Sequence, residues 1–329
     1  MYNVNILMKA IVHMLSAVFL VGCLSMSVRA QVTVTRTATL MGSRFEFTVI
    51  EKDSMLAQER IAEAMAEVSR IENLISEWQP HTQISEVNRH AGIRAVQVDR
   101  EVFDLTARAI QFSKLTHGAF DISIAAMDHI WRFDDTMEAL PTAEAIKKSV
   151  EKVGFQDIIL DSVACTIFLS KLGMKIGFGS IGKGYAADKC RTLMKMKGVV
   201  GGIINASGDI ATWGNQQHGE AWLIGLRNPF KQHKMVKRLK MRERAVATSG
   251  TYEKYVEFEG KRYAHIINPK TGYPSTGLVS VTIYGPSAEF ANGLSTSIMV
   301  MGVKAGKKVL RKFPHYKGIF ITDDGKVLR

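Results

Sequence analysis

Hydrophobic spacing changes period several times along this chain. Residues 43–50 (SRFEFTVI) alternate partly in polarity, which predicts a strand. Over 54–77 the period lengthens: Ile61, Met65, Val68, Ile71 and Ile75 recur at three- and four-residue spacing. That is one face of a helix, and Asp53 or Ser54 can cap its start. A second helix is predicted over 101–116, with Val102, Leu105, Ala109 and Phe112 on one face and Gly118 just beyond its end. A third opens after Gly182 and runs to about Lys197, where Gly198 stops it. GGIINASGDI and AWLIGLRNPF read as strands, and YAHIINPKTGYPS as a strand carrying His265 and ending in turns. GLVSVTIYG is a strand leading into a helix from about Ala288 to Val300, and GIFITDDGKVLR closes as a hairpin on Asp324-Gly325. The order is mixed rather than a regular β-α-β alternation. It predicts an α+β fold and argues against a doubly wound sheet. With no repeat and no linker, residues 31–329 read as a single domain.

Composition adds limits. The chain has 329 residues, 46% hydrophobic and 22% charged, enough for a substantial core. The net charge of +12 is scattered, and its densest run is KQHKMVKRLKMRER at 231–244. No aromatic residue is interleaved there to stack on bases, so the run reads as a solvated strand or loop, not a nucleic-acid surface. Residues 1–30 carry Lys9, an apolar run from Ala10 to Leu24, and Val28-Arg29-Ala30. This is the pattern of a signal peptide cleaved before Gln31. Leu20-Val21-Gly22-Cys23 also resembles a lipobox, in which Cys23 would be lipidated and become the N-terminus. Both readings place the remainder outside the cytoplasm, in the periplasm, soluble or anchored to the membrane. Cys165, on a predicted strand, and Cys190, on a predicted helix, could form a disulfide there or stay as two core thiols.

Candidate chemistry begins at GFGSIGKGYAAD, residues 177–188. Gly177, Gly179 and Gly182 fit the dinucleotide fingerprint, while Gly177, Gly182 and Lys183 fit the front of a P-loop. Gly184 stands where a P-loop needs Ser or Thr for Mg²⁺, which excludes the second. The first acid after Asp188 is Asp209, too distant for the ribose of a dinucleotide fold. What remains is physical: glycines allow close approach, and a helix starting near Ile181 aims free N–H groups at an anion. Ser180 adds a hydroxyl and Lys183 a charge. In AEFANGLSTSIMVMG, Asn292 and Thr296 lie one helical turn apart, so two oxygens could reach one hard cation.

These stretches together resemble the ApbE family, the FAD:protein FMN transferases. The likeness runs over about residues 38–305, through MGSRFEF, SEWQPHTQISEVNR, GAFDISI, FGSIGKGYAAD, ASGDI, VATSGTYEKY, HIINPKTGYP and ANGLSTSIMVMG in order. It implies a two-lobed α+β fold with FAD in the cleft between the lobes. It also implies Mg²⁺-dependent transfer of FMN to a Ser or Thr hydroxyl of an extracytoplasmic acceptor, such as a membrane electron-transfer subunit, with release of AMP. Met41 and Trp78 would line the flavin pocket. Ala119, Phe120, Asp121, Gly177, Lys183 and Ile267 would contact FAD. Ser180, Asn292, Ser295 and Thr296 would hold the metal. His265 is the candidate base, with Asp121 or Asp209 as substitutes.

The chain departs from the family pattern in three places. Asn292 replaces an Asp, Asn268 replaces the Asp of H-x-x-D-P, and Gly177 stands where Asp or another polar residue is usual. The loss of charge at 292 bears on metal affinity. Two other activities fit the same residues: hydrolysis of FAD to FMN and AMP, and flavin binding without catalysis.

Overall fold

The computed structural model describes residues 31–329 apart from 128–129, 134–135 and 253, so the expected signal peptide with Cys23 and Ala30 lies outside the described residues. The chain opens with β1 (Val32–Leu40) and β2 (Ser43–Glu51), then α1 (Ser54–Ile75), α2 (Gln83–Arg89), β3 (Val96–Gln97) and α3 (Arg100–Leu115). A 3₁₀ turn at Ile122–Ala126 and α4 (Ala143–Ser149) lead to β4 (Ile158–Asp161) and β5 (Thr166–Leu169). After α5 (Gly182–Met196) come β6 (Gly201–Ala206), β7 (Asp209–Trp213), β8 (Trp222–Asn228) and β9 (Lys231–Met241). The remainder is β10 (Ala245–Gly250), β11 (Tyr255–Phe258), β12 (Lys261–Ala264), β13 (Leu278–Gly285), α6 (Ala288–Leu310), β14 (Lys317–Thr322) and β15 (Val327–Leu328).

An eight-stranded sheet in the order β1-β2-β6-β7-β10-β13-β14-β15 carries the α+β fold. Its neighbours all pair antiparallel. Side-chain alternation divides it into two faces. Phe45, Phe47, Val49, Ile204, Ala211, Ala245, Ala247, Val281 and Ile283 face the layer of α1, α5 and α6 and form the main core. Ile50, Ile203, Ile210, Val246 and Tyr284 face the β8–β9 hairpin. The basic run at 231–244 is therefore mostly one strand, β9, whose Leu239 and Met241 turn inward while Arg238 and Lys240 stay in water. A third cluster of Met127, Trp131 and Ile146, with Tyr263 and Ile267 against it, forms beside the helix layer.

Two hairpins in the main sheet turn on residue pairs with positive φ. Met41 and Gly42 (φ 48° and 64°) join Leu40 to Ser43, and Ser207 and Gly208 (φ 55° and 100°) join Ala206 to Asp209. Such pairs match the right-handed twist of the strands they connect.

Several boundaries differ from the sequence reading. The first helix stops at Ile75, because Ser76 turns extended (ψ 125°) and its hydroxyl accepts the N–H groups of Trp78 and Gln79. GGIINASGDI is two strands, since Ser207-Gly208 reverses the chain. His265 lies one residue past β12. The last helix continues beyond Val300 to Leu310, interrupted at Gly302 (φ 76°). Cys165 sits in the β4–β5 turn with positive φ rather than on a strand. Both Cys165 and Cys190 are free thiols, and Cys190, buried in α5, donates to the Ala64 carbonyl.

Candidate functional site

A cleft of about 490 Å³ opens where the helix layer meets the third cluster. Each wall is delivered by a local device. After α3 the chain reverses through His117 and Gly118 (φ 52° and 78°), and Gly118 N–H closes on the Ser113 carbonyl at 2.7 Å. This reversal brings Ala119, Phe120 and Asp121 to the cleft. Asp121 then caps the 3₁₀ turn: Oδ1 accepts from Ser123 N–H (2.9 Å) and Oγ–H (2.6 Å), and Oδ2 accepts from Phe155 N–H (2.8 Å). Burial pushes its pKa up, opposed by these bonds. These three bonds make Asp121 a brace between the 3₁₀ turn and Phe155.

The glycine-rich loop enters α5 with Ile181 at its N-cap, and Gly179, Ser180 and Lys183 face the cleft. Its glycines are fixed mainly by packing. A Cβ at Gly184 would meet the Ala288 carbonyl at 2.5 Å, and one at Gly182 would press on Ile75 at 3.2 Å. The bare backbone at 184 thus lets α5 lie against the start of α6. Asp188 completes that junction. Its Oδ2 accepts from Ser287 Oγ–H (2.6 Å) and Glu289 N–H (3.0 Å), and its Oδ1 from Arg191 (2.8 Å). An acid at a helix N-terminus suits the dipole there.

This junction sets Ser180 opposite Asn292. The Asn292 amide lies 3.0 Å from the Ser180 carbonyl and 3.2 Å from Asp209 Oδ2, bonding both when its nitrogen faces them. With its oxygen turned inward, three oxygens converge instead, the donor set of a hard cation. Ser249 lies alongside, with its hydroxyl 2.8 Å from Ser295 Oγ and 3.2 Å from Thr296 Oγ1. One carboxylate plus neutral oxygens fits a cation that also takes phosphate oxygens as ligands. No group of three or more His, Cys, Asp or Glu side chains stands ready to hold a metal among the described residues.

His265 faces the same cleft with Lys183 and Lys254. Its Nδ1 is 3.1 Å from the Lys254 carbonyl, which can only accept, so Nδ1 carries the hydrogen and Nε2 keeps a free lone pair. Burial lowers its pKa below the ordinary histidine value, and the Lys254 and Lys183 charges add to the effect. Asn268 performs locally what an Asp would: its Oδ1 accepts the Lys270 N–H at 3.0 Å and closes the turn behind Pro269.

Of the residues singled out from sequence, Trp78, Ala119, Phe120, Asp121, Gly177, Ser180, Lys183, His265, Ile267, Asn292 and Thr296 line this one cleft. Met41 and Ser295 do not. Met41 sits in the β1–β2 turn, its N–H donating to Glu72 at 2.9 Å, with its side chain beside Gly182. Ser295 is buried beneath Ser249. Sequence reasoning passed over Glu77, Ser207, Ser249 and Lys254, which also line the cleft. All four fall inside the stretches that carry the family resemblance (SEWQPHTQISEVNR, ASGDI and VATSGTYEKY), but nothing in their residue types singled them out.

A family model described as the ApbE family matches residues 41–320. An FAD:protein FMN transferase of Klebsiella pneumoniae strain 342 is 32% identical over 293 residues, spanning 88% of this chain and 90% of that protein. One from Treponema pallidum strain Nichols is 30% identical, spanning 78% and 75%. Among solved structures, the ApbE protein of Thermotoga maritima superposes with a TM-score of 0.82 at 29% identity, covering 91% of this chain and 97% of its own. The flavin transferase ApbE of Vibrio cholerae superposes at 0.78 with 25% identity, covering 91% and 96%.

Proposed function

Because the chain belongs to the ApbE family, we propose that it transfers FMN from FAD to a Ser or Thr hydroxyl of an extracytoplasmic protein, with Mg²⁺ at the diphosphate. It is an enzyme, an FMN transferase with FAD as donor and a protein as acceptor. The observation that carries the finer reading is the meeting of Ser180, Asp209 and Asn292 in a cleft that His265, Lys183 and Lys254 also face.

Ser180, Asp209, Asn292 and Thr296 would hold the cation, which, when bound, supplies positive charge against the diphosphate. Lys183 and the free N–H groups at the start of α5 add charge and donors on the same side. The acceptor oxygen attacks the FMN-side phosphorus, the bond to the bridging oxygen breaks, and AMP leaves with that oxygen. His265 Nε2 receives the acceptor's proton. Asp121 holds the Phe120 wall in place through its bonds to Ser123 and Phe155. A membrane electron-transfer subunit is the acceptor class we favour.

The decisive assay incubates the protein with FAD, Mg²⁺ and a flavin-accepting domain, then follows in-gel flavin fluorescence and AMP. A fluorescent acceptor band with matching AMP is expected. Free FMN and AMP without a band would replace transfer by hydrolysis, and no AMP at all would leave only flavin binding.

A further inference from the structure

Glu77 lies in the bend between α1 and α2 and lines the cleft with Trp78, Ile124, Ala125 and Gly177. A Cβ built on Gly177 would stand 2.7 Å from Glu77 Oε1 and 3.1 Å from the Ala125 methyl. The carboxyl group therefore fills the space that a side chain at 177 would enter. It is half-buried, and burial pushes its pKa up; its own N–H, the Phe178 N–H and the Trp78 side chain hydrogen-bond it, and no cation among the described residues holds it ionised. A carboxyl kept out of water without a charged partner costs more than an amide or an apolar group would. In its neutral form it offers a donor and an acceptor side by side. The walls beside it, Trp78, Ile124 and Ala125, are flat or apolar, and the oxygen-rich residues Asp209 and Asn292 belong to other elements. The local chemistry suits a heterocycle edge that pairs an N–H with an acceptor. Both ring systems of FAD carry one: the amine and ring nitrogen of adenine, and the imide of the isoalloxazine.

We propose that Glu77 is a substrate-binding residue whose carboxyl hydrogen-bonds the N–H edge of an FAD heterocycle seated beside Trp78, acting from the α1–α2 bend in place of a polar side chain at 177. The inference rests on the reading of FAD as substrate. It makes the pair 77/177 reciprocal: one carboxyl fits the slot, two collide, and none leaves the edge unpaired.

The test is binding of FAD, FMN and ADP, by flavin fluorescence and calorimetry, to the full chain and its variants, with thermal midpoints alongside. Glu77→Ala is expected to weaken FAD about 5- to 100-fold, the range for one lost hydrogen bond to a buried partner. Gly177→Asp alone should weaken it at least as much, and Glu77→Ala combined with Gly177→Asp should bind more tightly than either single variant. Glu77→Gln keeps a donor and an acceptor and should stay within about threefold of wild type. A loss confined to FMN assigns the edge to the flavin, and one confined to ADP assigns it to adenine. Equal weakening of FMN and ADP would mean a loosened fold and would overturn the proposal. So would wild-type FAD affinity in Glu77→Ala, or a double variant no better than the singles. Wild-type protein that fails to bind FAD would sink the transferase reading itself.

Discussion

The two ends of the cleft are held together differently. At the oxygen-rich end, polar atoms from separate elements bond one another: Asn292 of α6 with Asp209 of β7 and the loop before α5, and Ser249 of β10 with Ser295 and Thr296 of α6. Asp188 ties the starts of α5 and α6 behind them. At the other end, Trp78 is 73% exposed, and the wall is a loop, a 3₁₀ turn and the Glu77 carboxyl. The first end is braced between separate elements, so a cation there needs only the Asn292 amide turned oxygen-inward. The second is completed by whatever ring enters it. Changes at the first should therefore fall on turnover, and changes at the second on binding.

The contrast can be broken most forcefully at His265. His265→Asn should cut FMN transfer about 10²- to 10⁴-fold while FAD affinity changes little; near-normal turnover in the gel assay would remove it as base. Wild-type activity should rise with pH along an acid limb whose midpoint lies below the usual histidine value, because burial and the two lysines favour the neutral ring. Asp209→Ala should lower turnover about 10²- to 10³-fold, with ADP and FMN affinities each close to wild type. If it instead acted like Glu77→Ala, weakening one heterocycle, the two ends would not be distinct. Asn292→Asp sharpens the comparison in the opposite direction. An added charge should lower the Mg²⁺ concentration for half-maximal transfer about tenfold, and an unmoved Mg²⁺ titration would count against a cation there.

A control away from the cleft has the smallest expected effect. Glu101 is opposed by burial but held down at about 2 by Arg70, Tyr185 and Lys189. Its folded-state pKa is below the usual carboxylate value, so its contribution to stability is present above roughly pH 4 and is lost as pH falls toward 2. In Glu101→Gln that part of the acid-unfolding profile should flatten while transfer near neutral pH is kept, provided the fold holds; an unchanged profile would mean the ion cluster is energetically silent.

Much of the fold was legible because long amphipathic helices declare themselves. Ile61, Val68, Ile71 and Ile75 point inward as their spacing requires. Ser180, Lys183 and Asn292 were readable as one site through their motifs. Glu77 and Lys254 lie in the quoted stretches too, but only tertiary convergence shows that their side chains line the same cleft. The glycines of 177–188 misled for a related reason: a string of glycines marks close approach, but only the packed molecule tells whether the neighbour is Ala288, Ile75 or a phosphate.

The contact between Gly184 and Ala288, with Asp188 beside it, has a thermodynamic consequence. FAD seated with its cation between Ser180, at the entry to α5, and Asn292 of α6 bridges elements already locked to each other and to the main sheet. Its binding energy therefore adds to the cooperative unfolding of the whole layer instead of quieting one loop. At a hundred times its dissociation constant, FAD would contribute about 2.7 kcal/mol to that transition. The chain is then least protected from proteases when its donor runs short, which ties its lifetime to flavin supply.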